Sequence, residues 1–359
     1  MSNRIKVLIV DDSAYSRQTI KRMLETDKDV EVVGVAADGV EAMAKTMKMK
    51  PDIITLDFAM PQMDGFSFLR WLMKERPLPV IMVSSYSDIK TVFMALELGA
   101  ADFIAKPSPR ASTDLLRIQN DLLQKVKGIK SMSMDKLGAS RELVQQDPRP
   151  FDEGSCSAMS GKQMPSIEIV TIGASTGGPA ALQVILTRLP AGFPAGILIC
   201  QHMPKGFTEP FAERLNRLAK IKVKEAAEGA TVEKGTALIC PGGYHMTMKV
   251  KSRQIRVALK DSTGGDRYIP SVDIMMASAA DNFGAKAMGI ILTGMGSDGK
   301  KGIVEIKGRG GYTIAESEKT AVVFGMPQEA IKTGAVDCIL PLDEIPKEIA
   351  RAVMHKKSG

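Results

Sequence analysis

The sequence predicts two α/β domains in succession, each a doubly wound parallel sheet with helices on both faces. Three observations carry that expectation. Short β-branched runs alternate with longer stretches of helical apolar spacing in both halves of the 359 residues. The alternation lapses over residues 127–165, where Ser, Gln, Gly, Pro and mixed charge dominate. It then resumes in a glycine-rich form, and 24 of the chain's 32 Gly fall in residues 166–359. A connection this long is unusual inside one compact domain. The expected organisation is therefore a first domain over 1–126, a linker over 127–165, a larger domain over 166–352 and a polar tail over 353–359.

In the first half, Lys6–Val10, Glu31–Ala36, Asp52–Asp57, Pro79–Ser85 and Ala101–Pro107 read as five strands. Between and after them, Ser13–Thr26, Gly39–Met49, Ser67–Lys74, Asp88–Leu98 and Ser112–Val126 carry apolar residues at helical spacing. Such alternation implies crossover helices covering a parallel sheet. Within the linker only Met134–Gln145 has enough apolar character for a short helix.

In the second half the predicted strands are Ile167–Ser175, Ala195–Met203, Ile221–Ala226, Ala237–Gly242, Gln254–Leu259, Ala287–Met295, Tyr312–Ser317 and Ala335–Leu340. Predicted helices cover Pro179–Arg188, Phe207–Ala219, Ser271–Phe283, Gly299–Lys307 and Pro327–Lys332. Glycines cluster just after the apolar strands. They mark tight turns at strand carboxyl ends, where open parallel sheets place their chemistry.

Apolar residues make up 44% of the chain and charged residues 25%, so both halves can bury a core. The formal net charge of +7 lies mostly in residues 166–359, which hold 25 basic and 19 acidic side chains. The excess is thin, and no helix-turn-helix or Arg/Lys-lined helix accompanies it, so no nucleic-acid partner is expected. The four Cys are widely spaced and form neither a metal-ligand pattern nor a disulfide scaffold; Cys200, Cys240 and Cys338 read as reduced core residues. No stretch approaches 18 apolar residues, and the N-terminus meets charge too early for a signal peptide. A cytoplasmic protein without direct membrane insertion is the expectation.

Asp11 and Asp12 follow the first strand, Asp57 ends the third, Ser84 ends the fourth and Lys106 ends the fifth. A doubly wound sheet brings all of them to one edge. Three converging carboxylates repel unless a hard cation lies between them, and Mg²⁺ suits an oxygen-only set. The lysine can neutralise an incoming phosphoryl oxygen, and the hydroxyl can hydrogen-bond it. DD at 11–12, LDFAMPQMDG at 56–65, MVSS at 82–85 and KP at 106–107 together resemble the receiver domain of two-component response regulators. The resemblance implies Asp57 as the phosphorylated residue, with Asp11, Asp12, Asp57 and the backbone carbonyl of Ala59 holding Mg²⁺. It implies Ser84 as switch hydroxyl, Phe103 as switch aromatic and Lys106 as the phosphate-facing lysine. Ala59 departs from the closest subgroup, where Glu is common.

Ile169–Leu182 reads as strand, glycine-rich turn and helix, without dinucleotide-fingerprint spacing and without a P-loop lysine. The turn offers Ser175 at a strand end, with Gly177 and Gly178 leaving backbone N–H groups open to a developing oxyanion. His202, at the end of the next strand, is a candidate base, and His245 in PGGYHMTM competes with it. Asp298 in GIILTGMGSDG is a candidate orienting acid, with Asp261, Asp266 and Asp273 as rivals. Serine, histidine and aspartate on strand ends point to a hydrolase. Their chain order differs from the familiar serine-hydrolase orders, which argues against the common α/β-hydrolase fold.

GASTGG at 173–178, QHMP at 201–204, CPGGYHM at 240–246 and TGMGSDG at 293–299, behind a receiver, resemble the chemotaxis protein-glutamate methylesterase (CheB) family. The resemblance implies a Ser175–His202–Asp298 triad, with Thr176 and Met295 beside the oxyanion and His245 as a near-site residue. It also implies hydrolysis of glutamate methyl esters on methyl-accepting chemotaxis receptors, deamidation of particular receptor glutamines, and the chemotaxis histidine kinase CheA as phosphodonor. Recruitment to receptor arrays would follow. Ester hydrolysis itself needs no cofactor.

Overall fold

A computed structural model describes residues 4–84, 89–107, 112–128, 132–145, 166–251, 254–262 and 266–354. The chain divides into two compact units, residues 1–138 and 139–359.

The first unit runs β1 (Ile5–Val10), α1 (Ala14–Glu25), β2 (Val30–Ala36), α2 (Gly39–Met49), β3 (Ile53–Asp57), α3 (Gly65–Glu75), β4 (Val80–Ser84), α4 (Ile89–Leu98), β5 (Asp102–Ala105) and α5 (Ser112–Gly128). Its sheet has the order β2-β1-β3-β4-β5, every pair parallel. Val7, Ile9, Ile53, Ile81, Val83 and Ile104 pack from the strands against Ile20, Leu24, Leu122 and Val126 of α1 and α5. Ser13, Asp38 and Asp64 cap α1, α2 and α3, each accepting a backbone N–H of the first turn. Because β1 and β3 are neighbours, their carboxyl ends bring Asp11, Asp12 and Asp57 together.

The segment expected as a linker contains α6 (Met134–Gln145). Residues 146–165 lie outside the described set, as do Ser85 and residues 355–359.

The second unit runs β6 (Ile169–Ala174), α7 (Gly178–Arg188), β7 (Gly196–Gln201), α8 (Thr208–Leu218), β8 (Lys222–Glu225), β9 (Thr236–Ile239), β10 (Tyr244–Lys251), β11 (Gln254–Asp261), α9 (Val272–Phe283), β12 (Ala287–Ile291), α10 (Lys300–Gly308), β13 (Tyr312–Glu316), α11 (Met326–Ile331), β14 (Cys338–Leu340) and α12 (Ile345–Met354). Seven parallel strands take the order β14-β13-β12-β6-β7-β9-β8, and β10 pairs antiparallel with β11 in a separate hairpin. From β6 the chain builds outward through β7, then returns to add β12 on the other side. That reversal is the topological switch point at which doubly wound sheets hold their ligands.

Two elements differ from the sequence reading. β10 was not anticipated, because its core-facing residues Met246 and Met248 carry no β-branched signal. α12 was missed too; it extends to Met354, into the segment expected to be a polar tail. Cys200 and Cys240 are buried free thiols, and Cys338 is buried on β14.

Candidate active site

β6, β7 and β12 each deliver one candidate at the same sheet rim. Ala174 pairs with Gln201 in the β6–β7 register, and the His202 N–H donates to Ala174 O at 3.0 Å. Ser175 and His202 thus leave adjacent strands, whose spacing is about 4.8 Å. On the other flank Ser175 N–H donates to Thr293 O at 3.0 Å, tying its backbone to the loop after β12. Gln201 Nε2 bridges the main chains of both candidates, donating to Ser175 O at 2.9 Å and His202 O at 3.2 Å. Gly177 stands at φ +79° before α7, and a Cβ there would lie 2.9 Å from Val322 Cβ. A Cβ on Gly294 would come within 2.8 Å of Ser175 Cβ. Both glycines are demanded by the approach of the chain to the serine.

The His202 ring gives Nε2 to Asp298 Oδ2 at 2.8 Å. With the proton of the neutral ring on Nε2, Nδ1 is the nitrogen available to a hydroxyl. Among the described residues no hydrogen bond joins Ser175 Oγ to this ring. Catalytic contacts are often long before substrate binds. The structure therefore joins His202 to Asp298 and places Ser175 at the end of the neighbouring strand. Thr176 is buried next to Ser175, with its carbonyl accepting Thr293 Oγ1 at 3.0 Å, and Met295 is half-buried in the loop after β12.

Asp298 is held more firmly than the sequence reading foresaw. Its Oδ1 accepts Ser271 Oγ at 3.1 Å, Asp273 N–H at 3.0 Å and Gly299 N–H at 3.1 Å; Oδ2 accepts Val272 N–H at 2.7 Å besides the imidazole. The carboxylate sits on the N-terminus of α9, where free N–H groups and the helix dipole favour an anion. Burial alone would raise its pKa, but the His202 contact and these backbone donors outweigh burial and hold it below the usual carboxylate range. Ser271 caps the same helix. The cap pattern Ser271-Val-Asp at a predicted helix start was the available signal.

Two of the rivals for the triad, His245 and Asp266, pair with each other. His245 Nε2 lies 3.2 Å from Asp266 Oδ2, and its Nδ1 accepts the Ser271 N–H at 3.2 Å. The Nε2–Asp266 approach is an ion-pair distance without hydrogen-bond alignment. Asp273 Oδ1 accepts the Gly302 N–H at 2.8 Å, and Asp261 ends β11. Tyr268, unremarked in the sequence, stacks on His202 with ring centroids 5.1 Å apart and planes 5° from parallel.

In the first unit Asp11, Asp12 and Asp57 offer oxygens that all lie within 4.8 Å of one another. Lys106 Nζ is 2.7 Å from Asp57 Oδ2 and 3.2 Å from Asp11 Oδ2. Asp57 Oδ1 accepts the Phe58 N–H at 2.8 Å, and Asp11 Oδ2 accepts Ser16 Oγ at 2.6 Å. Burial raises the Asp57 pKa, the Lys106 contact lowers it and the Asp11 charge raises it, with a net upward result. Lys106 also rises, since its two acidic neighbours outweigh its own desolvation. Three hard oxygen donors in one cluster fit a divalent cation of the Mg²⁺ class. Ser84 is buried at the end of β4, and Ala59 is exposed two residues beyond Asp57. Phe103 is buried on β5 with the Lys125 ammonium 5.4 Å from its ring centroid.

Known proteins share this organisation. Residues 170–349 match the CheB methylesterase family, and residues 7–117 match the response regulator receiver domain. The chain is 46% identical over 360 residues to a protein-glutamate methylesterase/protein-glutamine glutaminase of Geobacter sulfurreducens, covering 96% of both. It is 42% identical to the protein of that description from Pyrococcus abyssi, covering 99% of this chain and 95% of that one. The crystal structure of the Thermotoga maritima CheB methylesterase catalytic domain superposes with a TM-score of 0.51 at 42% identity, over 52% of this chain and 99% of that one. With a family match across the second unit, a receiver match across the first and relatives spanning nearly the whole length, the chain belongs to the CheB methylesterase family.

Proposed function

We propose that this chain is a phosphorylation-regulated protein-glutamate methylesterase that also deamidates glutamines, acting in chemotaxis adaptation. The observation that carries the chemistry is the His202–Asp298 pair at 2.8 Å beside Ser175 on the neighbouring strand. His202 Nδ1 takes the Ser175 proton as Oγ attacks the ester carbonyl, while Asp298 keeps the Nε2–H tautomer and stabilises the imidazolium. The oxyanion faces the backbone N–H groups of Thr176 and Gly177 at the α7 N-terminus and of Met295. One such donor is worth about 3 kcal/mol of transition-state stabilisation. His202 then gives the proton to the departing methoxide, releasing methanol, and a water deprotonated by the same imidazole attacks the acyl-enzyme, freeing glutamate as the proton returns to Ser175 Oγ. A glutamine side chain follows the same path with ammonia leaving.

The substrates in this reading are methyl-accepting chemotaxis receptors, and the phosphodonor is the histidine kinase CheA of the same two-component system. No helix among the described residues is long and apolar enough to cross a membrane, so contact with arrays would run through those partners. Asp11, Asp12, Asp57 and the Ala59 carbonyl would hold Mg²⁺, which when bound offsets the charge of the phosphodonor. Asp57 is the acceptor, Lys106 meets a phosphoryl oxygen, and Ser84 and Phe103 respond to the added charge of about −2.

The deciding measurement is methanol release from receptor bearing glutamate methyl esters, with and without a small-molecule phosphodonor. Parent protein should release methanol and respond to the donor; Ser175→Ala should abolish release, and Asp57→Asn should keep release but lose the response. Equal release by Ser175→Ala and parent would refute the nucleophile.

A further inference from the structure

We propose that Tyr268 is a positioning residue for the general base, fixing the plane of the His202 imidazole while Nε2 binds Asp298 and Nδ1 is left for the serine. The proposal rests on the esterase reading and extends it to a residue outside the four sequence motifs. The ring uses Nε2 for Asp298, so the base nitrogen is the one adjacent to the ring's attachment carbon. Its position is set almost wholly by the two side-chain torsions, with little reach to spare. A single hydrogen bond at Nε2 tolerates tens of degrees of ring rotation before it weakens steeply. A second constraint on the plane is needed. The Tyr268 ring supplies it, lying 5° from parallel with centroids 5.1 Å apart, the offset-stacked arrangement that aromatic rings prefer.

Tyr268 is itself held from several directions. Its Oη accepts the N–H of Ser297, the residue before Asp298, at 3.4 Å. The Arg267 guanidinium lies 5.2 Å from its ring centroid. Two residues earlier Asp266 reaches the buried His245 at 3.2 Å. His245 receives the Ser271 N–H, and Ser271 Oγ donates to Asp298. One short segment, Asp266–Ser271, therefore fixes the plane of the base at Tyr268 and the seat of its acid at Ser271. Displacing a catalytic group by an ångström costs on the order of 100-fold in rate. The stack is the feature that would let such a displacement occur if it were removed.

The test uses the full-length chain and three variants, Tyr268→Phe, Tyr268→Ala and Tyr268→Leu. Three readouts are followed: methanol release from a helical peptide carrying a glutamate γ-methyl ester, labelling of Ser175 by a fluorophosphonate, and ¹⁵N resonances of the His202 ring. Tyr268→Ala should lower kcat by about 10- to 100-fold with KM within about twofold, and slow labelling by a similar factor. Tyr268→Phe, which keeps the flat face, should stay within about threefold of parent. The ¹⁵N spectrum should report one Nε2-protonated ring state in parent and Phe, and averaging between states in Ala. Tyr268→Leu keeps bulk without a flat face and decides the matter if the alanine variant does not fold. A rise in KM at constant kcat, a phenylalanine variant as slow as alanine, or an unchanged ring spectrum in Ala or Leu would overturn the proposal. Failure of the parent to release methanol and to label would instead sink the esterase reading, and the ring spectra would still judge Tyr268.

Discussion

Asp57 ends β3 and Asp298 lies in the loop after β12; both are buried carboxylates, yet their environments push them in opposite directions. Asp298 accepts three backbone N–H groups, a serine hydroxyl and the imidazole. Asp57 has the Phe58 N–H and the Lys106 ammonium, with the Asp11 carboxylate crowding the same ammonium. The first acid is solvated by the protein in place of water; the second is left short of donors and next to a like charge. The difference follows the proposed tasks. An acid behind a histidine must stay an anion throughout the cycle, and preorganised donors achieve that. An acid that accepts a phosphoryl group gains from an oxygen not already saturated with hydrogen bonds.

The largest effect that would break this comparison is on rate. Asp298→Asn keeps the shape but cannot hold the Nε2–H tautomer, and it should lower kcat for methanol release by about 10⁴-fold. A loss below about tenfold would mean that Asp298 is a structural anion and not part of the catalytic pair. Stability ranks next. Asp298→Ala leaves several buried N–H groups without an acceptor and should cost about 3 kcal/mol in urea unfolding. Asp57→Asn removes a carboxylate that burial disfavours, and it should be near neutral or stabilising at pH 7.

The pH dependence sharpens the contrast, because the two shifts carry opposite signs. Asp298 is depressed below its unfolded value of about 3.9. Its contribution is present above that value and lost as pH falls through the lower, folded pKa. Asp57 is raised. Its contribution is fully present below about 3.9 and lost as pH rises through the folded pKa. Unfolding free energies of parent minus Asp298→Asn should therefore grow with rising pH in the acid range, and parent minus Asp57→Asn should shrink. Parallel slopes would show that the donor counts around the two acids do not govern their ionisation.

Much of this was legible in the sequence, for a physical reason. Residues that leave strand ends in a parallel sheet converge whatever the helices between them do, so Asp11, Asp12, Asp57 and Lys106 could be grouped from strand positions alone. Ser175, His202 and Asp298 followed by the same logic, although His245, Asp261 and Asp266 also follow strands and Asp273, at a helix start, stood as a further rival. What separated them is lateral strand order, and the placing of β12 beside β6 is a long-range pairing that no local pattern encodes. The supporting contacts were harder still. Tyr268 lies in a loop without periodicity, Gln201 looked like an ordinary strand terminus, and β10 hid behind methionines. The seat of Asp298 on α9 had a local signature in the Ser271 cap, but nothing local indicates which carboxylate will sit there.

The smallest predicted effect tests that seat. Ser271 does two jobs with one oxygen: it accepts the Ile274 N–H as helix cap at 3.4 Å, and it donates to Asp298 Oδ1 at 3.1 Å. Ser271→Ala removes both, while Val272, Asp273 and Gly299 N–H still hold the carboxylate. Loss of a cap costs about 1 kcal/mol. Because Asp298 retains three donors and the imidazole, kcat should fall by no more than about fivefold, roughly 1 kcal/mol of transition-state stabilisation. Ser271→Asp offers a discriminating partner: it is a good cap but places a second carboxylate against Asp298. It should therefore restore less of both quantities than its capping strength implies, read from urea midpoints and methanol release side by side. If Ser271→Asp matched the parent in rate, Asp298 would be insensitive to charge at its own seat, and the contrast drawn with Asp57 would lose its electrostatic basis.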